Sequence, residues 1–313
     1  MLQKALNNAH TVAIGGHVRP DGDCTGSTLG LYQYIKCWYP QIEADIYLEE
    51  IPESFQFIKA SKEICHEVKE IQYDLFICLD CADLSRLGFS GSLFENARHT
   101  LCVDHHVSND SFAEYNYINP EASSTSELIF ELIDQEKLTK EIAECLYLGI
   151  VHDTGVFQYS CTSPSTMNAA AQMMKTGINY PEIIQKTYFE KTYVQNQILG
   201  RALLDSELYL DGKCIVSAID LATMDLYHAG TKDLDGIVSQ LRITKGVKAA
   251  VFLYETEAGV YKVSLRSDDD VDSSVISKKY GGGGHKKASG FSMTGTIEEI
   301  TAVVIAEIEQ QLQ

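Results

Sequence analysis

The chain has 313 residues, a length at which two domains are expected, and its apolar and charged fractions are those of an ordinary globular protein. Its formal net charge of -19 argues against a surface that binds long duplex DNA through counterion release, whereas a small anionic substrate stays compatible with locally concentrated positive charge. No stretch approaches the ~18 apolar residues of a membrane span or forms a signal peptide, so we expect no membrane partner and a cytoplasmic location.

The first 190 residues alternate short apolar runs with helical patterns, which is typical of a mostly parallel sheet with helices on both faces. The predicted strands are Thr11–Gly15, Asp45–Leu48, Asp74–Asp80 and Thr100–Asp104. Apolar residues at helical spacing predict a helix after the first strand and further helices over Ser124–Glu136, Lys140–His152 and Ser165–Lys175. We assign residues 1–190 to one α/β domain.

The pattern changes after residue 200, where paired strands replace the alternation. LYLDGKCIVSAI predicts a hairpin that turns at Asp211-Gly212, and KAAVFLYETEAGVYKVSLRS predicts a second that turns near Glu257–Gly259. Helical patterns lie between and after these hairpins, so residues 201–313 are predicted to form a smaller α+β domain. A polar helical stretch near Thr192–Arg201 is expected to connect the two domains, and residues 191–200 are assigned as the linker.

The nine cysteines are odd in number and scattered, which indicates free, mostly buried thiols in a reducing compartment. Cys78 and Cys81 have CxxC spacing, which is compatible with a redox or zinc role. Because no second pair accompanies them, thiols of a buried strand are the favoured interpretation.

Acidic and imidazole side chains lie where the predicted strands end and after the helix that ends near residue 152. These residues are His17, Asp21, Asp23, Asp80, Asp104, His105, His106 and Asp153. The carboxyl ends of the strands in an open α/β sheet share one crevice, so we expect these segments to converge. Carboxylates that converge repel each other, which calls for positive charge among them.

The candidate ligands favour two metal ions. Oxygen ligands with one or two imidazoles suit Mn²⁺, and less exclusively Mg²⁺, Fe²⁺ or Zn²⁺. Six ligands are too many for one tetrahedral site, and they fit two ions that share a bridging carboxylate.

The segment GGHVRPDGDCTGS is predicted to be an irregular loop because Pro20 and the glycines oppose a regular helix. Such a loop can direct Asp21 and Asp23 to neighbouring ions, whereas a helix would place these positions on different faces. Simpler interpretations stay open: Asp23 or Ser27 can cap the next helix, and the aspartates at strand ends can be ordinary turn residues.

A second unusual segment is KKYGGGGHKKASG, from Lys278 to Gly290. Its glycines let the backbone approach a ligand and present N–H groups to an anion, and a helix starting after them would add its positive end. Arg266 and His285 can bind phosphate oxygens there. The alternative is a flexible hinge between solvated lysines.

Together these residues resemble the DHH phosphoesterase superfamily. HVRPDGD, ICLDCAD, VDHH and GIVHDTGVF resemble its four motifs in order, and SLRS and GGGGH resemble its DHHA1 domain. The resemblance spans nearly the whole chain.

The resemblance implies a role for each candidate residue. One Mn²⁺ would be held by His17, Asp21 and Asp80, and the other by Asp23, Asp80, His105 and Asp153. His106 would contact the scissile phosphate or protonate the leaving group, and Asp104 would orient the histidines. The substrate's other phosphate or terminal nucleotide would be bound by Arg266, Gly282, Gly283, Gly284 and His285.

The implied activity is hydrolysis of oligoribonucleotides of about two to five nucleotides, or of 3'-phosphoadenosine 5'-phosphate, by a hydroxide that two metal ions activate. The nearest alternative is a phosphodiesterase for cyclic di-AMP or pApA, which would use the same ligands. The expected partner is a short RNA or nucleotide, and assembly into a homodimer stays open. Tyr280 is a candidate for stacking a base.

Other classes fit less well. A manganese-dependent pyrophosphatase shares the first domain's motifs but lacks GGGGH. A non-catalytic nucleic-acid-binding subunit would be expected to lose metal ligands, and all of them are present here. A metal or redox sensor built on the CxxC pair is the third alternative.

Serine substitutions separate the sensor from the enzyme. Cys78→Ser and Cys81→Ser should leave substantial phosphodiesterase activity, because no thiol takes part in the expected chemistry. Asp80→Ala should abolish the activity, because it removes the ligand that both ions share. Turnover and bound metal are measured on the same samples. Serine variants that lose activity while they keep their metal would favour the sensor.

Overall fold

The computed structural model describes residues 1–312 of the chain, which divide into two compact units, Met1–Glu190 and a second that begins at Lys191. Each unit has its own sheet. Within the described part of the chain, every helix falls short of the length and hydropathy that crossing a membrane requires.

The sheet of the first unit confirms the prediction of a parallel α/β fold. Its strands are β1 (Thr11–Gly15), β2 (Glu43–Tyr47), β3 (Ile64–Cys65), β4 (Leu75–Leu79), β5 (His99–Asp104) and β6 (Tyr115–Ile118). All are parallel and lie in the order β3-β2-β1-β4-β5-β6. Because the winding direction reverses between β1 and β4, a crevice forms at the carboxyl ends of these two strands.

Helices cover this sheet. They are α1 (Leu2–Asn7), α2 (Gly22–Trp38), α3 (Gly91–Asn96), α4 (Thr125–Leu132), α5 (Lys140–Asp153), α6 (Pro164–Lys175) and α7 (Tyr180–Ile184). Helix α4 ends at Leu132 instead of Glu136, because Ile133 is extended and Asp134 caps a separate turn.

Helices α2 and α5 approach each other more closely than ordinary side chains allow. A Cβ at Gly26 would lie 2.4 Å from the carbonyl oxygen of Cys145 and 2.8 Å from the backbone nitrogen of Gly149, so the two backbones touch. Gly22 at the start of α2 faces His152 near the end of α5, so the helices run antiparallel. This packing brings the beginning of α2 beside the end of α5.

The second unit contains a mixed sheet with helices, as predicted. Its strands are β7 (Glu207–Tyr209), β8 (Cys214–Ile219), β9 (Ala249–Glu257), β10 (Val260–Ser267), β11 (Gly283–His285) and β12 (Ala288–Thr294). They lie in the order β11-β12-β10-β9-β8-β7, with β8 and β9 parallel and the other neighbours antiparallel. Both predicted hairpins, β7–β8 and β9–β10, are present.

The helices of the second unit are α8 (Tyr193–Leu204), α9 (Leu221–Tyr227), α10 (Ile237–Arg242), α11 (Ser273–Lys279) and α12 (Ile297–Leu312). Helix α8 confirms the helical character expected near Thr192–Arg201, and it packs within the second unit. Thr192 and Gln195 form a capping box at its start, and Ile198 and Ala202 are fully buried in the core of this unit. The polar residues that suggested a linker are the exposed face of an amphipathic helix.

The cysteines are free thiols, as predicted, and no disulfide forms among residues 1–312. Those that are buried are Cys24, Cys78, Cys81, Cys102, Cys145 and Cys214. Cys78 on β4 pairs in register with Cys102 on β5, so this thiol belongs to the interior of the sheet.

Two substitutions on α8 test whether the stretch 191–200 packs within the second unit. Ile198→Ala should lower the free energy of unfolding of this unit by about 2–4 kcal/mol, because it leaves a cavity in a closed core. Leu204→Ala on the same helix is the matched control, since Leu204 is 83% exposed. Denaturant titrations measure both variants. Equal, small effects would instead indicate a solvated linker.

Candidate active site

Four segments of the first unit meet at the carboxyl edge of its sheet. They are the loops after β1, β4 and β5 and the last turn of α5, and they carry the acidic and imidazole residues expected from the sequence. The crevice between β1 and β4 therefore contains side chains from positions far apart in the chain.

Asp80 lies between two imidazoles. One carboxylate oxygen, Oδ2, is 3.4 Å from Nε2 of His17, and the other, Oδ1, is 3.5 Å from Nε2 of His105. Its carboxylate is almost completely buried, and its φ of 58° places it in the left-handed region that non-glycine residues rarely adopt. The strained backbone thus directs one carboxylate oxygen to each side of the crevice.

The segment after β1 is more regular than predicted. Helix α2 begins at Gly22, so Asp21 is its N-cap and Asp23 lies in its first turn, instead of both lying in an irregular loop. The Asp21 Oδ1 accepts hydrogen bonds from the backbone N–H groups of Asp23 and Cys24, while its Oδ2 is 3.5 Å from Nε2 of His17. Asp21, and not Asp23 or Ser27, is therefore the helix cap, and its second oxygen still faces the site.

Asp23 is held by the start of another helix. Its Oδ2 accepts the backbone N–H of Thr125 at 2.6 Å, and its Oδ1 accepts that of Ser126 at 2.8 Å, both in the first turn of α4. Its carboxylate has no exposed surface, and Oδ2 is 4.0 Å from Nε2 of His105. Burial and the nearby carboxylates of Asp80 and Asp153 raise the pKa of Asp23 well above its usual value.

Asp153, the last residue of α5, completes this side of the site. Its Oδ2 is 3.1 Å from Nε2 of His105. Burial is the main reason why the pKa of Asp153 is raised to about 6, against the lowering contact with His105.

The pKa values of His17 and His105 are raised by the carboxylates around them. Burial alone would lower their pKa values, but hydrogen bonds to the carboxylates outweigh burial. They raise the pKa of His17 to about 11 through Asp21 and Asp80, and that of His105 to about 12 through Asp153 and Asp80. The site is thus a buried acidic cluster that is stable only with cationic charge, from protons or from metal ions.

The donor geometry fits divalent metal ions. Two ligand atoms that are each about 2.1 Å from one ion lie about 3.0 to 3.4 Å apart at octahedral or tetrahedral angles. The imidazole–carboxylate distances of 3.1 to 3.5 Å are close to this spacing. Nδ1 of His17 is 2.9 Å from the Val18 carbonyl oxygen, which favours the tautomer that leaves Nε2 available to an ion.

Three overlapping groups of residues could each hold an ion. They are His17 with Cys24 and Asp80, Asp80 with His105 and His106, and Asp23 with His105 and Asp153. The Cys24 thiol thus lies next to the carboxylate and imidazole of the first group, where a soft metal could reach it.

His106 lies beside this cluster and is held by Asp104. The distance between its Nδ1 and the Asp104 Oδ1 is 2.7 Å, and Asn109 donates to the Asp104 Oδ2 at 2.7 Å. The hydrogen bond to Asp104 raises the pKa of His106. Asp104 is fully buried and His106 is partly exposed, so the free edge of the imidazole is accessible to a ligand.

The second unit brings Arg266 and His285 into one row of its sheet. Ala288 on β12 pairs with Arg266 on one side and with His285 on the other. Residues in register across neighbouring strands project to the same face, so the guanidinium and the imidazole belong to one surface. Arg266 also donates to the carbonyl oxygen of Leu265.

The glycine run enters strand β11, and this corrects the expected helix start. Gly283 and Gly284 pair with Gly290 and Ser289, because a hairpin and not a helix follows them. The φ of 137° at Gly284 explains the requirement for glycine there. Both glycines and His285 are exposed, so their polar groups remain accessible to an anion.

The comparisons with known proteins identify both units. Residues 11–150 match the family model for the DHH family, N-terminal domain, and residues 211–313 match that for the DHHA1 domain. This chain belongs to the DHH family. It is a phosphoric ester hydrolase, and the phosphoesterases of this family depend on metal ions.

Three known proteins are similar to nearly the whole of this chain. The bifunctional oligoribonuclease and PAP phosphatase NrnA of Thermus thermophilus is 28% identical, over 96% of this chain and 90% of its own. The cyclic-di-AMP phosphodiesterase PdeA of Listeria monocytogenes is 27% identical, over 99% of this chain but 48% of its own. An exopolyphosphatase-related protein from Bacteroides fragilis, known from its crystal structure, is 27% identical in sequence to this chain. The two structures superpose with a TM-score of 0.91, over 99% of this chain and 94% of that chain.

The DHH domain contains supporting residues that the motifs did not suggest. Thr125 and Ser126 hold Asp23, and Asn109 holds Asp104. Gly149 begins the motif GIVHDTGVF, and the structure adds that it leaves room for Asp23. The helix predicted from Ser124 gave the start of α4 correctly, and the spacing of Ser124 and Glu127 is typical of such a start. The contact of that helix with Asp23, about a hundred residues away, has no local signal.

Gly149→Ala tests how closely Asp23 is held. A Cβ at Gly149 would lie 2.6 Å from Oδ1 of Asp23 and even closer to the Ser126 hydroxyl oxygen, so the new methyl group must displace both side chains. We expect at least a tenfold loss of metal affinity, which corresponds to about 1.4 kcal/mol. Titration calorimetry with Mn²⁺ measures it.

Gly200→Ala is the matched control, because Gly200 also lies in a helix and its Cβ would meet open space. This variant should bind the metal as the unchanged protein does. Equal affinity of the Gly149 and Gly200 variants would contradict the tight packing around Asp23.

Proposed function

We propose that this protein hydrolyses short oligoribonucleotides of about two to five nucleotides and 3'-phosphoadenosine 5'-phosphate to mononucleotides, with two Mn²⁺ ions in the DHH domain. The observation that supports it most is the Asp80 carboxylate, whose two oxygens face two different imidazoles. The similarity to the Thermus thermophilus protein over nearly the whole chain supports the choice of substrates.

The residues divide into two ligand sets around Asp80. The first set is His17, Asp21 and Asp80, and the second is Asp23, Asp80, His105 and Asp153. These sets would hold two divalent ions, which would polarise the phosphoryl group and supply a nucleophilic hydroxide near neutral pH. Oxygen-rich ligands with one imidazole in each set favour Mn²⁺ over thiophilic metals.

His106 is the residue we assign to the leaving group. Asp104 engages Nδ1 of its imidazole and fixes the ring, which leaves Nε2 to contact the scissile phosphate or to protonate the departing sugar oxygen. Asn109 in turn holds Asp104, so the direction of the ring is set by two successive hydrogen bonds. Asp104 acts through His106 and is a positioning residue.

The DHHA1 domain would bind the rest of the substrate. Arg266 and His285 lie in one row of the sheet, and a guanidinium with a neighbouring imidazole suits a phosphate group. The backbone of Gly282, Gly283 and Gly284 would add N–H donors. A substrate with few phosphates needs few such contacts, which agrees with a protein of net charge -19.

A phosphodiesterase for cyclic di-AMP or pApA is the second candidate. It is favoured by the similarity to the Listeria monocytogenes protein, which covers nearly all of this chain. The same ligands would act on either substrate, so comparative kinetics must distinguish the two functions.

The experiment is turnover of four substrates by the metal-free protein after it is reloaded with Mn²⁺, Mg²⁺ or Zn²⁺. The substrates are a short RNA, pApA, cyclic di-AMP and 3'-phosphoadenosine 5'-phosphate. We expect the highest kcat/KM with Mn²⁺ on short RNA or on the bisphosphate. Preference for cyclic di-AMP would support the second candidate, and inertness toward all four substrates with every ion would refute both.

His106→Asn should lower kcat on the best substrate by about 10²–10⁴-fold with little change in KM, because the imidazole acts in the transition state. His99→Asn is the matched control. His99 begins strand β5, at the end opposite to His105 and His106, and is exposed. It should leave kcat unchanged. A His106 variant with normal kcat would remove this residue from the chemistry.

A further inference from the structure

An exposed tyrosine lies close in sequence and space to the proposed metal ligand Asp153. Tyr159 follows the end of α5 on the segment from Thr154 to Thr162, and 55% of its surface is exposed. A ring exposed to this extent contributes little to the packing of the core.

The backbone around Tyr159 is firmly held. Its N–H donates to the carbonyl oxygen of Thr154 at 2.9 Å, and its own carbonyl oxygen accepts the N–H of Thr162 at 3.0 Å. The Cys161 thiol points to the carbonyl oxygen of Asp153 at 3.6 Å and closes the segment back on the ligand. The ring is thus carried by an ordered loop and not by a flexible one.

The ring itself lies against the backbone of Gly155. A Cβ at Gly155 would be 2.4 Å from Cζ of Tyr159 and 2.6 to 2.7 Å from the two adjacent ring carbons, so only glycine lets the ring lie there. On another side, the Tyr159 hydroxyl is 3.5 Å from that of Tyr188. One side of the ring is therefore covered by Gly155, and the exposed surface lies elsewhere on the ring.

Two other tyrosines, Tyr188 and Tyr280, are less suitable for a ligand. Tyr188 packs edge-on against His152 and Phe189. Tyr280, the candidate suggested by the sequence, stacks on Phe291 with a centroid distance of 5.0 Å and donates to Glu307. Its ring is already engaged within the DHHA1 domain.

We propose that Tyr159 is the surface on which a nucleobase of the substrate stacks while the neighbouring phosphate is at the metal centre. This inference rests on the proposed function, because it needs a nucleotide substrate there. Every base has a flat π-face, so stacking on one tyrosine positions a nucleotide with little dependence on its sequence. Tyr159 is thus a positioning residue and contributes to the preference for nucleotides over other phosphoesters.

The test compares Tyr159→Ala and Tyr159→Phe on a dinucleotide and on two analogues, each without the base at one of the two positions. Stacking predicts that Tyr159→Ala raises KM for the dinucleotide about tenfold, within the range found for base–aromatic stacking, with kcat little changed. Tyr159→Phe should behave like the unchanged protein. On the analogue that lacks the stacked base, the unchanged protein and Tyr159→Ala should have equal KM.

Binding gives a second readout, because the fluorescence of 2-aminopurine is quenched on stacking. A dinucleotide with this base should be quenched on rapid mixing with the unchanged protein and with Tyr159→Phe, and much less with Tyr159→Ala. Metal content and melting temperature are measured for each variant to show that the loop still folds.

Tyr115→Ala is the matched control, since Tyr115 is an exposed tyrosine at the start of β6, the opposite edge of the sheet. It should change neither KM nor the quenching. The stacking role would be overturned if Tyr159→Ala raised KM equally for the dinucleotide and both analogues, or changed KM for none of them. If the unchanged protein hydrolyses neither the dinucleotide nor either analogue, the proposed function itself is overturned. This outcome is seen before any variant is compared.

Discussion

The site depends on one buried carboxylate that must be shared between two cationic neighbours. Asp80 is almost completely buried, and each of its oxygens faces a different imidazole, one from the loop after β1 and one from the loop after β5. A lone carboxylate at this position would be destabilised by several kcal/mol through lost hydration. The sheet makes the arrangement possible because β1, β4 and β5 are parallel neighbours, so the loops after them emerge at the same edge.

The second requirement is the close packing of α2 on α5. Direct backbone contact at Gly26 and Gly149 brings the first turn of α2 and the last turn of α5 together, and with them Asp23 and Asp153. Asp23 is also joined to the N-terminal turn of α4, whose N–H groups offset its negative charge. Three helix ends therefore meet around the carboxylates, and each end supplies either a ligand or the hydrogen bonds that hold one.

The sequence predicted much of this because the relevant signals are local. The apolar runs located β1, β4 and β5 to within a residue or two, and the aspartates that follow them were expected at one crevice. The prediction of an irregular loop after β1 was wrong, because proline and glycine occur both in loops and at the start of a helix. Proline and glycine suggested a loop after β1, yet Asp21 supplies a cap that lets α2 begin at once. Contacts between distant segments, such as Asp23 with α4 or Gly26 with Gly149, leave no local pattern in the sequence. They are seen only in the folded structure.

The most direct test of the shared carboxylate is anomalous X-ray diffraction at the manganese edge from crystals of the protein loaded with Mn²⁺. Our account predicts two peaks, one between Asp80 and His17 and the other between Asp80 and His105, with one Asp80 oxygen directed to each. A single peak at this edge of the sheet, or metal bound without contact to Asp80, would contradict it.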